Sequence, residues 1–317
     1  MNFSDRVDPE LRAGLDFFPP DLLDLDDIPR TRARFDQLFA TLPVSAVEGV
    51  VSEDHRIPGP AGDPDVHVRV YHPSPRPVLL PALLWIHGGG YVLGDVEGDD
   101  AVARQLAKAV DCVVVSVDYR LAPEHPFPAP AEDCYAALTW LARQAGQLGV
   151  NPDRLAIGGA SAGGGLTAGL ALLARDRGEV RACFQLLIYP MIDDVNLTPS
   201  SHAITDPRVW NRRSNLLGWR AYLGREPGGG GVSPYAAAAR AVDLAGLPPA
   251  YLPVGTLDLF LDENIDYSQR LMQAGNAVEL HVYEGAYHGF NLVAPEADVS
   301  RRCISGYEAA LRRALHG

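Results

Sequence analysis

Residues 159–163 read Gly-Ala-Ser-Ala-Gly, so one serine, Ser161, sits in a G-x-S-x-G setting, and its neighbours from 158 to 165 are all Gly or Ala. A serine hydroxyl is a poor nucleophile at neutral pH. It needs a base, and the base needs an acid to orient it. The chain carries nine histidines. His55, His67 and His72 come early, His125 lies in a proline-rich turn, His281 alternates within a strand-like run, and His316 is in the tail. His288, in "EGAYHGF", follows the last strand-like run and precedes the closing helical one. A loop at that point is able to return to Ser161. For the acid, "AYLPVGTLDLFLDENID" offers Asp258, Asp262, Glu263 and Asp266. Asp258 comes directly after a strand-like run. Asp262 and Glu263 fall where a helix begins and suit cap and dipole roles.

Attack by a serine on a carbonyl puts negative charge on oxygen, and that charge needs preorganised donors. The N–H of Ala162, just after the serine, can supply one. The stretch from Trp85 to Asp95, "WIHGGGYVLGD", contains three consecutive glycines after His87. Such a run is entropically costly to order. It makes sense where a main chain must approach a reacting atom without side chains in the way. A Walker loop is excluded, because no G-K-[ST] follows, and the glycine spacing at the serine does not supply a dinucleotide fingerprint. His87 is then a loop-shaping residue rather than the base.

These groups need elements to hold them. The runs 66–72, 83–87, 112–118, 154–159, 184–190, 251–256 and 278–283 read as strands, most of them apolar on both faces. Helical patterns fall at 97–109, 129–146, 162–175 and 262–274, with a closing helix within 296–317. This alternation implies an α/β fold with a mostly parallel, doubly wound sheet. Ser161 then stands on a tight strand-to-helix turn, where a hydroxyl is exposed and a helix N-terminus faces a developing anion. Two regions break the rhythm. Residues 1–45 hold helical pieces interrupted by prolines. Residues 193–240 are polar, aromatic and loop-rich, with glycines 228–231 as a flexible return. Residues 193–240 are expected as an excursion above the C-terminal edge of the sheet; both segments suit a lid over a site, or decoration with no role in binding.

The chain has 317 residues, a formal net charge of −13, 47% hydrophobic and 21% charged residues. That is the profile of a globular protein with a large core. The acidic balance argues against nucleic acid or an anionic membrane as partner. No run reaches the roughly 18 apolar residues of a membrane span, and the acidic N-terminus does not resemble a signal peptide, so a cytoplasmic location is expected. Cys112, Cys134, Cys183 and Cys303 form no CxxC pair and are expected as buried free thiols. No metal or organic cofactor is called for.

The motifs "HGGGYVLGD", "DYRLAPEHPFPA", "GGASAGGGL", "LDLFLDE" and "YHGF", in this order, resemble those of the hormone-sensitive-lipase-like carboxylesterases of the α/β-hydrolase fold. The resemblance spans residues 85 to 290. It implies Ser161 as nucleophile, Asp258 as acid and His288 as base. It implies an oxyanion hole from Gly89, Gly90 and Ala162, with Gly88 shaping the turn. It also implies a catalytic domain at 46–192 and 241–317, capped by 1–45 and 193–240. Two positions depart from the family pattern: Ala160 stands where Asp is common before the nucleophile, and Leu259 stands where a proline often follows the acid. The activity implied is hydrolysis of short- to medium-chain acyl esters, with Trp210, Leu216, Leu217, Trp219 and Tyr222 as candidate pocket walls; cap packing accounts for each of these equally well. Asp118 and Arg120 belong to a segment similar to the family's structural one and read as scaffold, able to pair beneath the active-site loops, rather than as substrate ligands. An amidase or N-deacetylase, or an acetyl hydrolase of secondary metabolism, uses the same triad. A non-catalytic small-molecule-binding protein on this fold typically lacks a triad residue. The last strand and closing helix make a homodimer a further expectation.

Overall fold

The computed structural model describes residues 2–16, 19, 22–40, 47–60, 62–75 and 79–317. The expected N-terminal cap piece, 1–45, therefore lies partly outside the described residues. Eight strands form among the described residues: β1 (Val50–Ile57), β2 (Val66–Pro73), β3 (Leu80–Ile86), β4 (Val113–Asp118), β5 (Val150–Ala160), β6 (Phe184–Ile188), β7 (Ala250–Leu257) and β8 (Val278–Tyr287). Among the described residues they make one sheet in the order β1-β2-β4-β3-β5-β6-β7-β8. β2 is antiparallel to both β1 and β4, and the pairings from β4 across to β8 are parallel. β3 and β6 are buried at every position, as their unbroken apolar sequences require of strands covered on both faces.

β1 carries no strand expectation, for a physical reason. It is an edge strand, and only its ends, Val50 and Ile57, are buried. Its middle, Ser-Glu-Asp-His-Arg, shows no apolar alternation, and charges on an edge also deter pairing with other chains.

The helices are α1 (Phe3–Arg6), α2 (Ile28–Ala40), α3 (Asp100–Val110), α4 (Ala129–Leu148), α5 (Ala162–Arg177), α6 (Pro199–Ala203), α7 (Arg212–Leu223), α8 (Leu261–Gln273), α9 (Phe290–Val293) and α10 (Asp298–His316). The connection from β3 to β4 runs one way along the sheet; those from β4 through β5 to β8 run the other. Right-handed crossovers moving in opposite directions put their helices on opposite faces. So α3, packed with α10, covers one face, while α4 and α5, packed on each other, cover the other. The direction reverses between neighbours β3 and β5. The loops leaving their C-terminal ends diverge and open a crevice there, where ligands bind in open α/β sheets.

The start of α5 meets β3 at this point. A Cβ on Gly163 would stand 2.0 Å from the Ile86 carbonyl oxygen, and one on Gly165 would stand 2.1 Å from that of Met191. Only glycine allows the helix so near both backbones.

The segment between β6 and β7 carries α6 and α7. Asn211 starts α7 by accepting from the amides of Arg213 (2.9 Å) and Ser214 (3.2 Å), and Gly224 ends it in a left-handed conformation (φ 63°). The glycine-rich return is tied at its beginning: the Gly228 amide donates to Asp194 (2.8 Å), whose carboxylate is also held by Arg240 at 2.7 and 2.8 Å. N-terminal residues pack on the same segment. Ser214 donates to the Leu23 carbonyl (2.7 Å), Arg208 donates to Ser4 (2.8 Å), and Arg213 pairs with Asp26.

Asp118 and Arg120 do not pair with each other. Asp118 sits opposite His67 in the β2–β4 register and bonds its ring at 3.1 Å. Arg120 lies beyond the strand end and turns toward α4, where it holds buried Asp133 at 2.8 Å. Pleat direction and register send the two side chains to different partners.

Gly163→Ala is expected to destabilise the fold by about 1–3 kcal/mol or more through overpacking. Urea unfolding measures this, and a loss under half a kilocalorie would show that the α5–β3 approach is looser than described.

Candidate active site

Ser161 is the residue between β5 and α5, with φ 57° and ψ −120°. Serine at a helix N-cap ordinarily turns its oxygen onto the first amides of its own helix. Here the side chain makes no such cap bond. Three backbone bonds hold the turn instead. The Ser161 amide donates to the Ile188 carbonyl (2.9 Å), and the Ser161 carbonyl accepts from Gly165 (2.9 Å) and Met191 (3.0 Å). The freed Oγ lies 2.8 Å from Nε2 of His288.

His288 follows β8 and is brought over the sheet by the chain's last strand. β8 runs four residues further than the sequence pattern indicates, to Tyr287, and sets His288 directly at its C-terminal end. Its Nδ1 lies 2.7 Å from Oδ2 of Asp258, which is fully buried just after β7. With Nδ1–H donating to the carboxylate, Nε2 is left to accept from the serine hydroxyl. Phe260 and Tyr189 meet the imidazole edge-on, with ring centroids 5.0 and 4.7 Å away. They restrict the ring's tilt and keep water from its faces. Asp258 also accepts from the Phe260 amide through Oδ1 (2.9 Å). That bond closes the turn in which Leu259 stands where a proline often follows the acid.

The glycine run arrives from β3. Gly88 lies against the serine turn; a Cβ there would stand 3.0 Å from the Ala160 carbonyl oxygen and 3.5 Å from Ser161 Cβ. Gly89 (φ 109°) and Gly90 (φ 62°) take left-handed conformations that other residues rarely adopt. Among the described residues, neither amide finds an acceptor within the protein. His87 stacks on Tyr119 at 4.2 Å, and its Nδ1 lies 2.8 Å from the Gly88 carbonyl oxygen, so it shapes the loop and stays apart from Ser161. Tyr91 (φ 68°) links the run to the serine turn: its hydroxyl donates to Met191 O at 2.7 Å.

The candidate pocket walls divide. Trp210 packs directly on Gly90, where a Cβ would come within 2.2 Å of the indole. Trp219 is fully buried among Tyr91 and Tyr222, and so belongs to packing beneath the loop. Leu216 and Leu217 are half-buried on α7. No helix among the described residues is long and apolar enough to cross a membrane.

A family model described as the alpha/beta hydrolase fold matches residues 83–292, more than half of the chain, including the glycine run, Ser161, Asp258 and His288. The chain belongs to the α/β-hydrolase family. Within it, this α/β-hydrolase falls in the hormone-sensitive-lipase-like branch. It is 40% identical over 318 residues to the carboxylesterase NlhH of Mycobacterium tuberculosis, covering 98% of this chain and 97% of that protein. It is 38% identical over 313 residues to the esterase LipI of the same organism, covering 98% and 96%. Among solved structures, a bacterial heroin esterase superposes with a TM-score of 0.94 at 43% identity, covering 99% of both chains. The α/β-hydrolase described here is a carboxylic ester hydrolase.

The sequence pattern places one carboxyl of this hydrolase correctly at a helix start but leaves its partners unseen. Glu263 begins α8 and reads as a dipole partner, yet it is buried. It reaches across to accept from the amides of Ile192 (3.0 Å) and Asp193 (3.3 Å) through one oxygen. Its neighbour Asn264 donates to the Pro190 carbonyl (2.8 Å). Together they fasten the 190–193 turn whose Met191 amide holds the serine carbonyl. No signal within a single sequence distinguishes such a Glu from a helix-capping one. Burial first, and then the nearby Asp193, push the Glu263 carboxyl well above its ordinary 4.5. A carboxyl raised on folding stabilises fully below its unfolded pKa, and that contribution is lost as pH rises toward the folded one. Glu263→Gln keeps the acceptor without the titration. The stability of this variant relative to wild type is expected to rise with pH from about 4.5 upward, by at most about 1.4 kcal/mol per pH unit. Urea unfolding at pH 5, 6, 7 and 8 measures this, and a difference independent of pH would contradict a raised Glu263 carboxyl.

Proposed function

We propose that this hydrolase is a serine carboxylesterase that cleaves short- to medium-chain acyl esters of small molecules through an acyl-enzyme intermediate. The observation that carries the reading is the hydrogen-bonded chain from Ser161 through His288 to Asp258, at 2.8 and 2.7 Å.

In the proposed cycle, His288 Nε2 takes the Ser161 proton as Oγ attacks the ester carbonyl. Asp258 holds the ring and stabilises the imidazolium that forms. The oxyanion accepts from the amides of Gly89, Gly90 and Ala162. The unengaged Gly89 and Gly90 amides support this role, because donors already spent on the protein could not serve. The imidazolium then gives its proton to the departing alcohol. A water enters, loses a proton to His288 and attacks the acyl carbonyl. The acid leaves and Ser161 recovers its proton. Gly88 lets the loop lie against the serine turn.

Residues 1–45 and 193–240 are proposed to form a cap over this site, and residues 46–192 and 241–317 the catalytic domain. The contacts of Ser214 with Leu23 and of Arg208 with Ser4 support treating the two cap pieces as one unit. Trp210, seated on Gly90, roofs the glycine run closely, which favours short acyl groups over long chains.

Ser161→Ala is expected to lower kcat on p-nitrophenyl acetate and butyrate by at least about 10³-fold, with the fold intact. Wild-type kcat/KM along a series from acetate to dodecanoate is expected to peak at the short to medium esters. Undiminished turnover by the variant would overturn the serine mechanism, and a peak at dodecanoate would overturn the chain-length assignment.

A further inference from the structure

The glycine run presents an unusual support problem. If its Gly89 and Gly90 amides must stay free for substrate, they cannot also fix the loop. The loop must be held through its carbonyls and by contacts from outside. Inside the loop, the amides of Val92 and Leu93 donate to the Gly89 carbonyl at 3.1 and 2.9 Å, and the Ala122 amide donates to the Tyr91 carbonyl at 3.0 Å. These bonds tie Gly89 to Val92 and Tyr91 to the 121–124 turn.

One side chain holds both. Arg32, on α2, donates from Nε to the Val92 carbonyl (2.8 Å) and from Nη2 to the Ala122 carbonyl (2.8 Å). The same guanidinium is fixed in place by Glu124, at 2.8 and 2.9 Å. Val92 and Ala122 are fully buried, so their carbonyls have no water to turn to. A planar guanidinium with several donors in a fixed fork spans two carbonyls and a carboxylate at once; an ammonium does not. From the other side, Trp210 lies on Gly90, and a Cβ on Gly218 of α7 would stand 3.0 Å from the Gly90 carbonyl oxygen.

We propose that Arg32 is a positioning residue for the oxyanion-binding loop, so that the N-terminal segment sets the rate of turnover and not only the fit of the substrate. This rests on the reading of Gly89 and Gly90 as oxyanion donors. Arg32 touches no reacting atom. It acts by fixing the Val92 and Ala122 carbonyls, and through them the turn that aims the two free amides. A residue that merely fastened α2 would, on removal, loosen the cap. It would raise KM or lower the melting temperature and leave the chemical step alone.

The test uses Arg32→Ala with p-nitrophenyl acetate, whose small acyl group depends least on the cap. The expected result is a fall in kcat of about 10-fold or more, smaller than the loss of an oxyanion donor itself, with KM little changed. Affinity for an alkyl trifluoromethyl ketone, which forms a hemiketal oxyanion on the serine, is expected to fall by the same factor. Affinity for the corresponding trifluoromethyl alcohol, which forms none, is expected to hold. Added guanidinium is expected to restore part of kcat in Arg32→Ala, whereas added ammonium is not. Unchanged kcat, or a rise in KM alone, would overturn the proposal. If Arg32→Ala fails to fold, Arg32→Lys decides on the same criteria, since it keeps the charge and stem but loses the fork. Ser161→Ala measured alongside separates the two readings. Full activity there would sink the serine mechanism, whereas an inactive Ser161→Ala beside an Arg32→Ala of normal kcat would sink only the role of Arg32.

Discussion

The site depends on one backbone conformation. Ser161 at φ 57° and ψ −120° occupies a region that costs a non-glycine residue about 1–3 kcal/mol, and such a conformation persists only where the surroundings over-determine it. The surroundings do so from four directions. β6 accepts the Ser161 amide through Ile188, α5 returns Gly165 to the Ser161 carbonyl, the turn after β6 sends Met191 to the same carbonyl, and β3 presses on Gly163. The yield of that strain is a hydroxyl turned from its own helix toward His288. Glycine at 163 and 165, costly in a helix interior, follows from the same constraint.

The order of the strands explains why the parts converge. Ser161, Asp258 and His288 follow β5, β7 and β8, and the glycine run follows β3; all leave the C-terminal ends of parallel neighbours. The crossover connections reverse direction between the parallel neighbours β3 and β5, so the serine turn and the glycine run diverge from adjacent strands yet face the same crevice. The buried Asp258 then completes the line. A carboxylate with no solvent access is tolerable only with partners, and its partners among the described residues are the His288 ring and the Phe260 amide.

Much of this was legible from residue order. Strands buried on both faces, such as β3 and β6, announce themselves as unbroken apolar runs. Ser161 and Asp258 stand out because each follows such a run, and His288 because it lies between the last, alternating strand and the closing helix. What was not legible depends on distance across the fold. β1 hides because an edge strand has little apolar face to display. The partners of Asp118 and Arg120 depend on strand register and on which way the chain turns beyond β4. Glu263 looks like a helix-start carboxylate until the 190–193 turn is seen lying over it. Trp210 and Trp219 share one sequence neighbourhood, yet one lies on Gly90 and the other is sealed against Tyr91 and Tyr222. Arg32 is one arginine among many in sequence and acquires meaning only from the two carbonyls it bridges.

In the proposed mechanism His288 and Asp258 make Ser161 nucleophilic. The most direct measurement is reaction of the whole protein with a fluorophosphonate, followed by proteolysis and mass spectrometry to locate the adduct, in wild type and in His288→Ala. One adduct per chain is expected, on the peptide containing Ser161, with its rate of formation collapsing in His288→Ala. An adduct on another residue, or equal rates of Ser161 modification in the two proteins, would contradict it.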